Sequence, residues 1–428
     1  MDLLRRAISP ARSPRLRLTL LLVVVAASLA IPSTASAHHV THSPKGKFLG
    51  VVHRGHHQSA SFLLSGGNLV NHGGPVMPNT DVYAVYWDPS GAAFSSGYKQ
   101  LVDNYFQNVA ADSGTTSNVF SAVNQYGTSY NAAYKGEIDD TQPYPANPGG
   151  DCAAQTQCFS DAQLQAEVKR LIANPPAGMM LPTGDSTIYF VMTPKGVNSC
   201  FNDGSGSCSW NSYCAYHSSS GWNNASGSPS DVLYANMPYA DVSGCTTPSN
   251  PNGSDADPLI DVLSHEHIEA ITDPNGTAWW DSSGNEIGDK CAWTWGPSLG
   301  STAFGSYDQQ IGTIGGAGTG KAFGTYQMQE EWSNQTSSCV PNVAPPDDPS
   351  TASFTAAETS TRTMTFTSSW SDADSTPSSY SWNFGDRSSS TQTNPVHTYR
   401  KKGTYTVSLT ITFQDGTKAS YSHSVSVR

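Results

Sequence analysis

The sequence predicts an α/β (α+β) main domain stapled by disulfides, followed by an all-β sandwich. Three observations carry this. Between residues 76 and 342, aromatic and β-branched runs such as Asp81–Trp87, "DVYAVYW", alternate with stretches of helical spacing such as Tyr98–Asp112. All 8 cysteines lie between Cys152 and Cys339. Beyond a proline-rich linker, residues 352–428 read almost wholly as two-residue alternation, as in "TYTVSLTITF".

The chain has 428 residues, enough for two or three domains. Residues 1–37 read as a secretory signal. Arg5, Arg6, Arg12, Arg15 and Arg17 make a positive n-region, Leu18–Ile31 is an apolar run, and Ala35-Ser36-Ala37 is a small-x-small cleavage site. The apolar run is short for a bilayer span, which needs about 20 residues. Secretion is therefore expected, with no membrane segment left after cleavage. The whole chain carries 22 basic and 34 acidic residues, net −12; losing five Arg and one Asp with the signal takes it to −16. So acidic a chain is a poor nucleic-acid partner, because phosphate binding needs a basic face.

Residues 38–75 form a His-rich leader or pro-segment. They hold His38, His39, His42, His53, His56, His57 and His72. A flexible leader, a segment that caps the site until removed, and weak metal scavenging are the three readings of such a tract.

The main domain, 76–342, follows. Asp81–Trp87 is predicted as a strand. Tyr98–Asp112 is predicted as a helix, with Leu101, Tyr105, Phe106 and Val109 on one side. Ser160–Asn174 is a second helix with Ser160 as its N-cap. Ser186–Thr193 and Asp231–Ala240 are further strands. "DADPLIDVLSHEHIEAITDP" is a third helix, with Pro258 in its first turn and Pro274 just past its end. In an exported chain an even cysteine count reads as disulfides. The expected pairs are Cys152–Cys158, Cys200–Cys208, Cys214–Cys245 and Cys291–Cys339, although sequence alone leaves the connectivity open.

The third helix concentrates the chemistry. With His265 taken as zero, Glu269 falls at about 40°, Glu266 at about 100° and His267 at about 200°, at about 100° per residue. Leu259, Leu263, Ile260, Ile268 and Ile271 fill the arc opposite His265 and Glu269. At i and i+4, those two heads can converge on one ion, with Glu266 beside them to act on water. This is the logic of the HExxH zinc motif with a carboxylate as second ligand. His267 falls in the apolar arc and is expected to be a core histidine with a backbone partner. A third ligand is needed. "NEIGDKC" supplies Asp289, which is favoured, and Glu286, the alternative; His217 in "YCAYH" is a further candidate. The bland counter-reading is a polar stripe on a solvated surface helix.

The block "SHEHIEAITDP…AWWD…NEIGDKC", with "VYAVYWDPSG" and "YCAYH" upstream, resembles the EXORDIUM or phosphate-induced secreted proteins. That resemblance implies an apoplastic or extracellular protein and brings no activity with it. The HExxE block by itself resembles zincin-type metallopeptidases. That likeness implies a zincin-like fold, a zinc centre on His265, Glu269 and Asp289, and Glu266 as general base. Read this way the chain is a zinc-dependent hydrolase, most directly a peptidase. The rival readings are a wall- or matrix-binding protein with a structural metal, and a polysaccharide-active hydrolase. Its partner is a protein or cell-wall polymer.

Residues 343–351 are the linker, rich in Pro and Asp and therefore extended. In 352–428, "YSWNFGD", "NPVHTYRKKGTYTVSLTI" and "SHSVSVR" resemble a PKD domain. This implies an immunoglobulin-like sandwich in which Trp382, His397, Tyr399, Gly403 and Tyr405 are structural. Asp372 and Asp374 offer oxygen ligands suited to calcium, and Asp415-Gly416 a hairpin turn.

Overall fold

The computed structural model describes residues 42–43, 46–55, 67–223, 229–343, 350–372, 376–413 and 418–428. The expected signal segment, Asp374 and the Asp415-Gly416 turn lie outside the described residues.

The main domain is built on a seven-stranded sheet. Its strands are β1 (His42–Ser43), β2 (Gly46–His53), β3 (Thr80–Trp87), β4 (Ala132–Asp140), β5 (Thr187–Met192), β6 (Tyr213–Asn223) and β7 (Pro229–Met237). They lie in the order β1-β2-β6-β7-β5-β3-β4. β4, β3, β5 and β7 run parallel, while β6 runs antiparallel to both β7 and β2. Three helices cover it: α1 (Tyr98–Ala111), α2 (Asp161–Ala173) and α3 (Asp257–Thr272).

The inner parallel strands β3, β5 and β7 are buried on both faces, as crossover connections require, while the edge strand β4 exposes Lys135, Glu137 and Asp139. In β3, Val82, Ala84 and Tyr86 join one core with α1 and α3; Tyr83, Val85 and Trp87 join another with α2. The same alternation splits Ile188 and Phe190 from Tyr189 and Val191 in β5. Ser160 caps α2 as expected, in a reciprocal capping box with Gln163. The predicted strands and helices all occur, each within a few residues of its expected bounds.

The four disulfides join Cys152–Cys158, Cys200–Cys208, Cys214–Cys245 and Cys291–Cys339. Among the described residues no helix is long and apolar enough to cross a membrane.

The leader is not separate from the main domain. β2 is a strand of its sheet, and Val52 and Leu69 lie in its core. Val70–Asn71 pairs with Trp279–Trp280, where the His72 ring stacks on Trp280. The alternation "FLGVV" is short and broken by Gly50, so the histidines around it dominate a compositional reading.

The C-terminal part is a two-sheet sandwich. Its strands are β8 (Thr351–Ser360), β9 (Thr363–Ser371), β10 (Pro377–Asn383), β11 (Ser389–Ser390), β12 (Val396–Thr398), β13 (Gly403–Phe413) and β14 (Lys418–Val427). One sheet is β8-β9-β12 and the other β11-β10-β13-β14. Phe354, Phe366, Trp382, Leu409 and Ile411 form its core. Trp382 is 1% exposed, and its indole N–H donates to the Gln392 carbonyl. His397 stacks on Phe384 and meets Asp386 at 2.9 Å, which fits a structural role.

Candidate metal centre

α3 begins with Pro258 in its first turn, where a missing N–H costs nothing. Asp257 collects the backbone N–H groups of Asn252 and Ser254 and so braces the turn before it. The solvated-helix reading is wrong. All sixteen residues of α3 are buried, because the sheet takes one face and the loop 281–291 closes over the other. The polar stripe is therefore interior, and its side chains need partners.

Three elements supply the centre. α3 contributes His265, Glu266 and Glu269. β6 contributes His217. The loop after α3 contributes Glu286 and Asp289. That loop is fixed at both ends: Asp281 accepts from the Ser283 and Asn285 amides and from the Lys290 ammonium, and Cys291 is bridged to Cys339. Inside it, the Asp289 N–H donates to Glu269 Oε1 at 2.8 Å, and the Glu286 N–H to Asp289 Oδ2 at 3.1 Å.

Two ligand sets share Glu269: His265, Glu269 and Asp289, and His217, Glu269 and Glu286. In the first, His265 Nε2 lies 3.0 Å from Glu269 Oε1 and 3.8 Å from Asp289 Oδ1. Ligands at about 2.0–2.1 Å from a tetrahedral zinc stand about 3.3 Å apart, so these distances bracket the requirement. The 3.0 Å contact is short, yet neither His265 nitrogen makes a hydrogen bond among the described residues. At that separation the two heads are close enough to hold a shared third body. Gly288 makes room for the ring: a Cβ there would lie 2.8 Å from His265 Nδ1.

The second set is already engaged. His217 Nδ1 lies 2.9 Å from Glu266 Oε2, and His217 Nε2 lies 3.3 Å from the Asp273 carbonyl. With both ring nitrogens donating, His217 is a partner for Glu266 rather than a free ligand. Burial alone would lower its pKa, but the Glu266 contact outweighs this and raises it. Glu286 likewise accepts from the Gly50 amide at 2.6 Å.

The electrostatics call for a cation. Asp261, Glu266, Glu269, Asp273, Glu286 and Glu331 are each at most 1% exposed. Burial pushes Glu266 up to about 7 and Asp289 up to about 8, and holds Glu286 and Glu331 well above the usual carboxylate range. Glu269 moves the other way, down, because the adjacent His265 outweighs its burial. Glu266 Oε1, Glu269 Oε2, Glu286 Oε1 and Glu331 Oε2 have no hydrogen-bond partner among the described residues. A carboxylate and imidazole donor set with orphaned oxygens fits a divalent ion of the zinc type.

All the sequence-predicted ligands thus meet in one place. His267 does not join them. Its ring packs edge-on against Phe106, Phe120 and Phe190. The expected backbone partner is absent: both ring nitrogens lack one among the described residues, and burial depresses the pKa to about 3. The aromatic walls fill the space a carbonyl would need. Sequence reasoning missed Glu331, Asp261 and Gly50. Glu331 had a signal, since "MQEEWS" must turn one of two adjacent glutamates inward if extended. Asp261 lies one turn before His265 on the same stripe. Gly50 had none.

Comparison with known proteins bears on the other end of the chain. Residues 342–428 match the PKD domain family. The collagenase ColA of Bacillus cereus is 48% identical over 50 residues, 12% of this chain and 5% of its own length. A microbial collagenase of Vibrio alginolyticus is 50% identical over 44 residues, 10% and 5% respectively. The chain therefore spans only a small fraction of these relatives, and both matches fall in the PKD region. Among solved structures, the PKD1 domain of Vibrio anguillarum Epp is 28% identical, covering 19% of this chain and 98% of its own, at TM-score 0.19. The PKD1 domain of the Vibrio cholerae metalloprotease PrtV is 29% identical, covering 18% and 95%, at TM-score 0.18. The family match falls on the sandwich whose core is built around Trp382, and the C-terminal domain of this chain is a PKD domain.

Proposed function

We propose that the chain is a secreted zinc-dependent hydrolase, most directly a peptidase, with its PKD domain as an accessory module for a protein or wall-polymer substrate. The observation that carries this is the convergence of His265, Glu269 and Asp289 beside a buried, half-satisfied Glu266. Bound on those three residues, zinc would supply a Lewis acid for the scissile carbonyl. Glu266 divides its two oxygens. Oε2 is held by His217, which fixes the carboxylate's orientation. Oε1 is left to take a proton from the attacking water and pass it to the leaving nitrogen. Burial places that carboxyl near neutrality, where it can do both. The collagenase matches in the PKD region and the secretory-signal pattern of residues 1–37 agree with an extracellular substrate.

The burial of every residue of the site but Asp289 favours one other reading, a structural metal without catalysis. One assay separates them: metal content of the secreted chain, with casein and gelatin cleavage measured with and without chelator, beside Glu266→Gln. Stoichiometric zinc, chelator-sensitive cleavage and loss of about 10²–10⁴ in rate in Glu266→Gln support the peptidase. Zinc without cleavage supports the structural metal, and absence of metal removes the central claim.

A further inference from the structure

The strand that covers the centre runs where a peptide would have to lie. β2 pairs antiparallel with β6, with Val52 opposite Ala215 and Val51 opposite Tyr216. The ladder then breaks at Gly50 before Leu49 comes opposite His217. The break turns the Gly50 N–H out of the ladder and onto Glu286 Oε2, at 2.6 Å. Gly50 has φ +22°, and a Cβ there would lie 1.5 Å from Glu269 Oε2. The backbone thus passes directly against two of the metal-site carboxylates, at a point where a side chain would collide with them.

Beyond Gly50 the segment is held through both main-chain and side-chain groups. The His53 carbonyl accepts from Trp293 Nε1 at 2.9 Å. Arg54 donates from Nε to the Ser209 carbonyl at 2.9 Å and from Nη1 to the Ser243 carbonyl at 3.1 Å. The Gly55 N–H donates to the Gly244 carbonyl at 2.6 Å. With β2 displaced, β6 would become an edge strand, and its freed amides and carbonyls would pair with any extended chain.

We infer that the outer edge of β6, from Tyr213 to Ser218, is the binding track for an extended peptide. Phe48–His53 is an internal occupant of that track, anchored onward through Arg54 and Gly55, and holds the site closed. A substrate peptide takes the same antiparallel place once this segment leaves, bringing its backbone past Glu266 and Glu269. This rests on the hydrolase reading for its purpose, but the track itself is a matter of binding.

The test uses the full chain, secreted as wild type, Gly50→Ala and Arg54→Ala. Gly50→Ala forces the segment away from Glu269; Arg54→Ala loosens its anchor without steric conflict and decides the matter if Gly50→Ala fails to accumulate. Three readouts are taken: casein cleavage, zinc per chain, and fluorescence anisotropy of a labelled synthetic peptide with the sequence of residues 46–55. The expected result is retained zinc, cleavage at least about tenfold faster than wild type as the open fraction rises, and peptide binding by the variants that wild type lacks. Peptide binding without any cleavage upholds the track and removes the hydrolase reading. Cleavage at the wild-type rate in variants that bind no peptide overturns the track and leaves the hydrolase reading standing. Loss of zinc in Gly50→Ala without peptide binding also overturns it, because the segment then stayed and displaced Glu269 instead.

Discussion

His267 stands between two metal-site residues in sequence, yet a helix turn places it against aromatic rings. A neutral histidine buried there makes stability depend on pH. Its folded pKa, about 3, lies below the ordinary 6.5. Between those values the unfolded chain binds a proton that the folded chain refuses. Stability is therefore full above about pH 6.5 and drains away as pH falls toward 3. His267→Phe should remove that dependence and gain about 2 kcal/mol at pH 5, with little linkage effect at pH 7.5; denaturant melts at the two pH values measure it. His217 gives the converse case. His217→Ala should leave zinc bound while lowering the rate, since it removes the partner of Glu266 and none of the favoured ligands. Metal analysis beside the casein assay checks this, and zinc loss in that variant would move the ion to the His217, Glu269 and Glu286 set.

At the scale of elements, β6 matters most, because it carries His217 and is bridged by Cys214 to Cys245. The bridge closes a separation of 31 residues, so replacing both cysteines by alanine should cost about 3–4 kcal/mol by loop entropy. The measurement is a fall in the main thermal transition of the double variant. α2 offers a smaller and cleaner test. Ser160→Ala breaks the capping box and should cost about 1 kcal/mol, read as a lower denaturation midpoint with unchanged zinc. A drop much larger than this would show that Ser160 does more than cap.

For the whole molecule, the hydrophobic clusters fall into separate groups. Those of the main domain involve residues up to Val343, and that of the PKD sandwich involves only residues from Ala352 onward. Separate cores predict separate melting. Trp382→Ala removes the largest side chain of the sandwich core and should destabilise that domain by about 3–5 kcal/mol. Calorimetry should show one transition lowered and the other kept, with casein cleavage on soluble substrate unchanged. Chelator should do the opposite, lowering only the main-domain transition, because a ligand that binds the folded state alone stabilises it by mass action.

Much of this was legible in the chain itself. Periodicity determined α1, α2, α3 and the inner strands, since burial on one or two faces leaves a repeat of 3.6 or 2. It also placed His265 and Glu269 on one stripe and His267 off it, because those positions depend only on the helix. The PKD sandwich was readable from its own signature. What the sequence left open was decided by contacts between distant segments. Four carboxylates and two histidines from α3, β6 and the 281–291 loop meet only once the sheet brings β6 over α3 and the Cys291–Cys339 bridge fixes the loop. His217 changed from a remote ligand candidate to the partner of Glu266 for that reason. Gly50 was invisible beforehand, because nothing local marks a glycine whose purpose is to let a backbone pass against carboxylates more than two hundred residues away.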